Sequence, residues 1–424
     1  MGRLPLDDLL LDTETASFIQ ACVFDYEPYD AFAGRPMPHD MDPTALWRLL
    51  CFVRRTTGWP PLSSTAAGFS PSSADSVFWN VTPCATDCVF ALLSKASAKG
   101  ELWRQIQRYE HCSVMRSLVI TDLVTAANRD GLDLSHEDVR AITAHNRPPD
   151  TSHERLAANA YRLAMETPAP TALDADAICA LYRGIVEGAE VPSGPYWQPD
   201  LGAANAMVTR SPATDVSLPL AAYYSSNARY GTHGLFNSLW ASNAILDATL
   251  FGPLSGLMEF VLRHASYNLL GIPALAYVPF STLRLEWEQG RPPHSIATLP
   301  FGEAVLQTVF GLDCTPALNT LVALLDTGLN TVADAIKAIE QRNERRTERV
   351  RSDARLNPRQ REVVEDAICN PRATYDVWTH QHATHVAPAT ARKDLNDLVA
   401  AGYLYTSYEG KRQVFSPNPT FVES

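Results

Sequence analysis

Residues Thr249 to Leu257 form a glycine-containing turn whose residue types and spacing could hold an anion. Gly252 and Gly256 lie in this turn, and an apolar segment begins directly after it. The first N–H groups of a helix have no partners within that helix, so a turn that leads into a buried helix N-terminus can bind a phosphate or a carboxylate. The turn therefore has the geometry that proteins use to hold an anion, and the main question is whether this one still does.

Two apolar segments flank the turn and must position it. The first runs from Trp240 to Ala248 and the second from about Leu257 to Leu270, and neither has a continuous polar face. Helices that are apolar all round are buried in the core of a large protein. The pattern predicts a central helical hairpin, and an ordinary core hairpin without a ligand is the alternative interpretation.

This hairpin resembles the centre of a Fic (fido) domain, a family whose members usually transfer AMP from ATP to a protein hydroxyl. The family's loop has the pattern HPFxDGNGR, and the best register places Thr249 to Leu257 over those nine positions, where only Phe251 and Gly256 match. Upstream, SVFWNVTPCATDCVFALLSKASAKGELWRQ is similar to the helical segment that precedes many Fic domains. Asp130 and Gly131 correspond to the Glu-Gly of the family's inhibitory stretch.

The resemblance implies a histidine base, an acidic metal ligand and a phosphate-binding arginine, and all three are replaced here. Thr249 stands at the histidine position, and its hydroxyl does not titrate near neutrality. Pro253 offers neither a carboxylate nor an N–H group, and Leu257 removes the bidentate clamp of an arginine. We therefore expect no AMP transfer, no cofactor and no metal. The degenerate loop positions are Thr249, Phe251, Pro253, Ser255, Gly256 and Leu257.

The composition is that of a globular protein. The chain has 424 residues, of which 46% are hydrophobic and 19% charged, enough for two or three domains. No apolar stretch approaches the roughly 20 residues of a membrane helix, and no basic N-terminal region precedes an apolar run. These features predict a cytoplasmic protein without a membrane partner. Cys84 and Cys88 are the closely spaced pair among eight cysteines, which is a weak metal signal, and we expect reduced core thiols.

Charge is distributed unevenly along the chain. The net charge of −12 argues against a nucleic-acid binder that uses its whole surface. Residues 331 to 424 nevertheless hold 14 basic and 13 acidic side chains, whereas the remaining 330 residues hold 21 and 34. A DNA contact therefore belongs at the C-terminus. The charged run in the predicted helix 331–351 is typical of a solvated connecting helix, with phosphate contact as the alternative for Arg342, Arg345, Arg346 and Arg349.

The C-terminal residues 356–417 predict three helices and a β-hairpin. Asn357 and Pro358 are typical of a helix start, Gly402 is typical of a helix end, and a Glu-Gly-Lys turn separates two short β-type runs. The segment PATARKDLNDLVAAGYL and the following GKRQVF resemble the winged helix-turn-helix that stands behind the catalytic domain in many Fic proteins and occurs in bacterial transcription regulators. The resemblance implies double-stranded DNA as a partner.

Basic and small side chains of the third helix and of the wing are the candidate DNA contacts. The N-terminal half of a recognition helix reaches base edges, and the wing contacts phosphate or the minor groove. The predicted DNA-binding residues are Ala389, Thr390, Arg392, Lys393, Lys411 and Arg412. We expect Asp394, Asp397 and Glu409 to dilute this basic surface, so a winged helix used only for packing or dimerisation is the alternative.

Together these patterns predict a mainly α fold with a small β-wing. The expected domains are an N-terminal extension (1–75), a degenerate Fic-like helical domain (76–330), a linker helix (331–355) and a winged helix-turn-helix (356–424). The predicted function is that of a DNA-binding transcriptional regulator that is not an enzyme. Its expected partners are double-stranded DNA, a second copy of the chain in a homodimer, and a small-molecule or protein effector. The alternatives are AMP transfer through non-standard residues and a protein-interaction or inhibitor module.

Overall fold

The computed structural model describes residues 12–23, 26–27, 29–58, 78–80, 82–110, 112–145, 147–192, 231–247, 249–291, 313–410 and 412–423. Over these residues the fold is mainly helical with a small two-stranded sheet, as predicted. The chain divides into two compact units, one of residues 1–104 and 118–331 and the other of residues 105–117 and 332–424. In the described part of the chain, no helix has both the length and the apolar character needed to cross a membrane.

The helices are numbered in chain order. They are α1 (Thr13–Cys22), α2 (Tyr29–Ala33), α3 (Pro43–Thr57), α4 (Pro83–Ala96), α5 (Glu101–Tyr109), α6 (Ser113–Arg129), α7 (His136–His145), α8 (Ser152–Tyr161), α9 (Ala175–Val186), α10 (Gly231–Asp247), α11 (Ser255–Leu269), α12 (Phe280–Glu288), α13 (Thr315–Ser352), α14 (Pro358–Cys369), α15 (Val377–Thr384), α16 (Pro388–Ala400) and α17 (Pro419–Glu423). The strands β1 (Leu404–Glu409) and β2 (Arg412–Pro417) lie between α16 and α17.

The predicted central hairpin is α10 and α11. Every residue of α11 from Ser255 to Tyr267 is buried, which agrees with a sequence that has no polar face. α10 begins at Gly231, nine residues before the apolar run that predicted it. A short 3-10 turn, Gly252–Leu254, joins the two helices.

Two helices differ in extent from their sequence-based expectation. The sequence pattern predicts one long helix from about Glu101 to Asn128, but in the structure α5 ends at Tyr109 and α6 begins at Ser113. The sequence pattern also predicts two separate helices, at about Pro316 to Leu325 and Thr331 to Arg351, whereas the structure has α13 as one continuous helix of 38 residues. Gly328 lies inside α13, where tertiary packing overrides its low helix propensity. The sequence pattern predicts a further helix at about Phe301 to Phe310, and this segment lies outside the described residues.

The N-terminal helices are joined by a buried arginine. Arg54 donates from Nε to the Val23 carbonyl at 3.1 Å and from Nη2 to the Cys22 carbonyl at 2.9 Å. Its guanidinium lies 4.1 Å from the centroid of the Tyr26 ring. The Asn80 amide donates to the Arg54 carbonyl at 3.0 Å, which connects this cluster to the segment before α4. A buried guanidinium is tolerated here because carbonyls and an aromatic face replace its water.

The C-terminal unit contains α14, α15, α16 and the β1–β2 hairpin. Asn357 and Gln360 form a reciprocal capping box at the start of α14, and Gly402 ends α16 with φ of 81°. Tyr375, before α15, pairs with Phe415 of β2 as an isolated antiparallel bridge. The core of this unit is apolar and consists of Val350, Leu356, Val363, Val364, Ala367, Ile368, Leu395, Leu398, Leu404 and Phe415.

Gly328→Ala should destabilise the protein although alanine is the better helix former. A Cβ at this position would lie 2.2 Å from Cγ1 of Val278, a stiff β-branched side chain. We expect a net loss of about 1–3 kcal/mol in the free energy of unfolding, because overpacking outweighs a propensity gain of about 1 kcal/mol. Urea denaturation of the wild type and the variant measures this change in the free energy of unfolding. Asn330→Ala, an exposed position on the same helix, is the control and should be neutral or slightly stabilising.

Candidate functional site

The loop before α11 is a tightly held turn. Ser255 Oγ accepts a hydrogen bond from the Phe251 N–H at 3.0 Å and donates to the Gly252 carbonyl at 2.9 Å. Leu250 and Phe251 are fully buried, whereas Thr249 is exposed and has a positive φ of 45°. The apolar side chains therefore anchor the loop, and the threonine at the position of the family's histidine faces solvent.

The N-terminus of α11 does bind an anion, and the anion is the chain's own carboxylate. Asp130 Oδ1 accepts from the Gly256 N–H at 2.7 Å, and Oδ2 accepts from the Leu257 N–H at 2.9 Å. Both donors belong to the first turn of α11, where N–H groups lack helical partners and the helix dipole favours negative charge. The position that could receive a phosphate is thus filled from the end of α6.

Gly256 is required by the close approach of α6. A Cβ on this residue would lie 2.3 Å from the Ala126 carbonyl oxygen, which is main chain and cannot rotate away. The sequence presented Gly256 as one of two matches to the family loop. In the structure, its lack of a side chain lets Asp130 reach the helix N-terminus.

Asp130 is mostly buried, and burial raises its pKa to about 7. The N–H groups of Gly256 and Leu257 and the charge of Arg129 lower the pKa, and the carboxylate of Glu259 raises it. Desolvation therefore exceeds the stabilisation of the charged form by its two hydrogen bonds. Asp130 is half protonated near neutrality, which makes the strength of this contact sensitive to pH.

Arginines near the loop are held by carboxylates. Arg129 donates from Nη1 to both carboxylate oxygens of Glu288, at 2.9 and 2.8 Å, and Arg284 donates from Nε to the same carboxylate at 2.9 Å. Further along α11, Arg263 lies between Asp122 at 2.7 Å and Glu259 at 2.8 Å. These side chains are therefore engaged within the fold.

His264 is a core residue. Its Nδ1 lies 2.7 Å from the Phe260 carbonyl oxygen and its Nε2 lies 2.9 Å from the Ala276 carbonyl oxygen. Burial, and after it the positive charge of Arg263, lower the pKa of His264 to about 4. A neutral ring donates one of these two bonds. The residue is fully buried and does not line the cleft beside the loop.

A cleft of about 350 Å³ lies beside the loop. Four of the six degenerate positions line it, whereas Phe251 and Leu257 are buried in the core. Its ionisable lining residues are Arg129, which is paired with Glu288, and Asp130. The complete lining is Arg129, Asp130, Leu246, Thr249, Gly252, Pro253, Ser255 and Gly256.

The predicted DNA-contacting residues of α16 lie in its first two turns. Ala389, Arg392 and Lys393 are exposed, and Thr390 is half-buried. In the hairpin, Lys411 lies outside the described residues. The remaining candidate, at the start of β2, is Arg412; its guanidinium is hydrogen-bonded to Asp376 and stays more than half exposed.

Asp394 does not dilute the basic surface of α16, so that expectation was wrong. Its side chain is buried and accepts from Arg359 Nε at 2.8 Å and from Asn357 Nδ2 at 2.8 Å. The helix turns this carboxylate inward because it lies one turn from the buried residues Ala391 and Leu398. Asp397 is exposed as expected, and the side chain of Glu409 lies outside the described part.

The carboxylate of Asp376, which precedes α15, is also turned inward. Asp376 caps α15 by accepting from the Thr379 N–H at 3.0 Å and from its hydroxyl at 2.7 Å, and it pairs with Arg412. Asp376 and Asp394 are the acidic residues of the segment 371–396, and both are buried. The exposed ionisable side chains of that segment are Arg372, His382, His385, Arg392 and Lys393.

The arginines of α13 differ in exposure. Arg345 and Arg349 are exposed, whereas Arg346 is buried. Burial lowers the pKa of Arg346, and the neighbouring charges of Arg342 and Arg349 lower it further. The charged run is therefore only partly a solvated face.

Comparison with known proteins yields one kind of match. No protein-family model and no curated protein matches this chain. Among solved structures, the chain is similar to a Fic family protein from Desulfovibrio desulfuricans G20, with 14% sequence identity and a TM-score of 0.40. The match covers 80% of this chain and 97% of that chain. A TM-score of this size does not by itself establish a common fold.

Asp130→Asn should remove part of the pH dependence of stability. The folded-state pKa of Asp130 is raised above its ordinary value of 3.8, so the folded protein binds this proton more tightly than the unfolded chain. The stability that protonated Asp130 adds to the folded state is fully present below about pH 4 and is lost as the pH rises through about 7. Wild type should therefore lose ~1–3 kcal/mol of stability relative to Asp130→Asn between about pH 5 and pH 8. Urea unfolding at both pH values measures it, and a difference that does not change with pH would contradict the assignment.

Gly256→Ala should be more destabilising than an ordinary glycine substitution. Because the new methyl group meets a main-chain oxygen, we expect a loss of about 3 kcal/mol or more, at the upper end of overpacking effects. Gly271→Ala is the matched control. Its φ is 71°, but no atom lies within 4 Å of the position that its new methyl group would occupy, so only the backbone cost of about 1–2 kcal/mol applies. Equal losses of stability in Gly256→Ala and Gly271→Ala, measured by thermal unfolding, would show that α6 does not closely approach Gly256.

Proposed function

We propose that this chain is a DNA-binding transcriptional regulator in which a Fic-like helical body that transfers no AMP carries a C-terminal winged helix-turn-helix. The observation that carries the proposal is the inward orientation of both carboxylates in the segment 371–396. Asp376 and Asp394 each accept hydrogen bonds within the unit. The exposed ionisable side chains of residues 371–396 are basic, and Asp397 is the next exposed carboxylate. A surface of this kind fits the phosphate backbone of DNA.

The order of elements in the C-terminal unit supports the DNA-binding half of the proposal. Helices α14, α15 and α16 precede an antiparallel hairpin, and Tyr375 adds a bridge to β2. His385, in a left-handed conformation, ends α15 only three residues before α16 begins. In helix-turn-helix proteins the second helix of such a pair enters the major groove with its N-terminal residues towards the bases. Here those residues are Ala389, Arg392 and Lys393.

The loop before α11 supports the absence of AMP transfer. Thr249, Pro253 and Leu257 lack the base, the metal ligand and the phosphate clamp that the resemblance implies. The N–H groups that would receive a phosphate are bonded to Asp130. Asp130 is also the residue that the resemblance places at the family's inhibitory position, so its contact with the loop supports the register used for the comparison.

The regulator would act in the cytoplasm as a homodimer on a pseudo-palindromic site. One winged helix makes few base contacts, and a two-fold dimer doubles them with a single interface. The helical body would provide the dimer contacts or respond to a small-molecule or protein effector.

The double variant Arg392→Gln/Lys393→Gln tests the proposed DNA surface. Binding of the full chain to a labelled duplex of roughly three helical turns is measured by fluorescence anisotropy at several salt concentrations. We expect the variant to bind about tenfold or more weakly, and the slope of log K against log salt to fall by about two, because two cationic side chains that displace counterions from the duplex are lost. Lys99→Gln, an exposed lysine of the helical body, is the control and should leave both quantities unchanged.

Two results would count against this function. Wild-type protein that binds no duplex at low salt, whether random or selected from genomic fragments, would remove the DNA-binding half. Equal binding and equal salt slopes for the wild type and the double variant would move the contact away from α16.

AMP transfer by non-standard residues is the second candidate, and the cleft beside Thr249 is the observation that favours it. Incubation of the protein with ATP labelled at the α-phosphate and a cell lysate separates the two functions. A regulator without transferase activity leaves no labelled protein. Labelled bands that vanish with Thr249→Ala would establish the enzyme instead.

A further inference from the structure

Trp378, the second residue of α15, is the most exposed tryptophan side chain described and is 65% exposed. Its ring lies 4.2 Å from the His382 ring, centroid to centroid, at 38°. His382 Nδ1 lies 2.7 Å from the Trp378 carbonyl oxygen, one helical turn away. An aromatic side chain that is already supported on one side loses little conformational freedom when its other side is covered.

The ionisable side chains near Trp378 in the sequence indicate what kind of partner would cover its ring. Asp376, two residues earlier, is buried and paired with Arg412. The guanidinium of Arg412 remains more than half exposed, and Arg372, His382 and His385 are exposed on the same segment. An exposed apolar side chain in a segment whose exposed ionisable side chains are basic and whose carboxylates are buried complements a polyanion better than it complements an ordinary protein surface.

The position of Trp378 on α15 indicates which part of a DNA duplex would cover its ring. In a helix-turn-helix, the first helix of the pair crosses the sugar–phosphate backbone while the second lies in the major groove. α15 is the first helix and α16 the second. A residue near the start of α15 is therefore placed towards the backbone of the same duplex whose bases α16 faces.

We propose that Trp378 is a contact to the DNA backbone, with its indole Nε1–H donating to a phosphate oxygen and its ring packed against a deoxyribose. This inference rests on the proposed DNA-binding function and adds a neutral, aromatic contact to it. Tryptophan suits the role because it combines a large apolar face with a single hydrogen-bond donor. His382 is a positioning residue that supports the ring.

The test compares Trp378→Ala with wild type in the full chain, using the labelled random-sequence duplex of roughly three helical turns. We expect the Kd to rise about tenfold, as for truncation of a tryptophan at the centre of an interface. The slope of log K against log salt should stay unchanged, because a neutral side chain releases no counterions. This separates Trp378 from Arg392 and Lys393, whose removal lowers the slope. Trp378→Phe, which keeps a ring and loses the donor, should recover part of the affinity.

Phe90→Ala is the matched control, since Phe90 is 61% exposed on α4 in the other unit and should leave the Kd unchanged. Light scattering on each variant reports the oligomeric state. Undiminished binding by Trp378→Ala, with wild type bound normally, overturns this inference and leaves the proposed function standing. A loss of affinity accompanied by loss of the dimer also overturns it, because Trp378 would then lie between copies of the chain. Wild type that binds no duplex overturns the proposed function itself.

Discussion

The contact between Asp130 and the first turn of α11 is the constraint on which the centre of the helical body depends. A buried helix start leaves N–H groups that need acceptors, and a carboxylate from the end of α6 supplies two of them. That contact requires α6 to approach closely, and the approach requires a glycine at position 256. The cost is a buried carboxyl group whose pKa is raised to about 7. The same interaction occupies both of these N–H groups at the start of α11.

The C-terminal unit uses its carboxylates in a similar way. Asp376 caps α15 and holds Arg412, and Asp394 joins α16 to Asn357 and Arg359 of the α14 region. Each carboxylate satisfies donors inside the unit, so it adds little negative potential to the surface. In a protein with a net charge of −12, the exposed ionisable side chains of residues 371–396 are thereby basic. The net charge of a chain is therefore a poor guide to one of its surfaces, because burial removes selected charges from it.

Local pattern predicted much of the fold. The apolar runs around the loop became α10 and α11, and the C-terminal pattern became three helices and a hairpin because caps, glycines and a period of 3.6 residues act over short distances. Predictions from local sequence pattern were wrong where tertiary packing determines the structure. Two separate helices were predicted between Pro316 and Arg351, but the structure has the continuous helix α13, in which Gly328 packs closely against Val278. Asp394 was expected on the surface, and its partners Asn357 and Arg359 hold it inside.

By itself, the sequence determined which groups are missing at positions 249, 253 and 257 and which basic residues lie near the C-terminus, because side-chain chemistry does not depend on the fold. Only the tertiary structure decided what fills the start of α11 and which charges reach solvent. Asp130 and Gly256 are separated by 126 residues, and no periodicity links positions so far apart. Their contact, like the burial of Asp394, depends on how the helices pack, and packing is set by many side chains together.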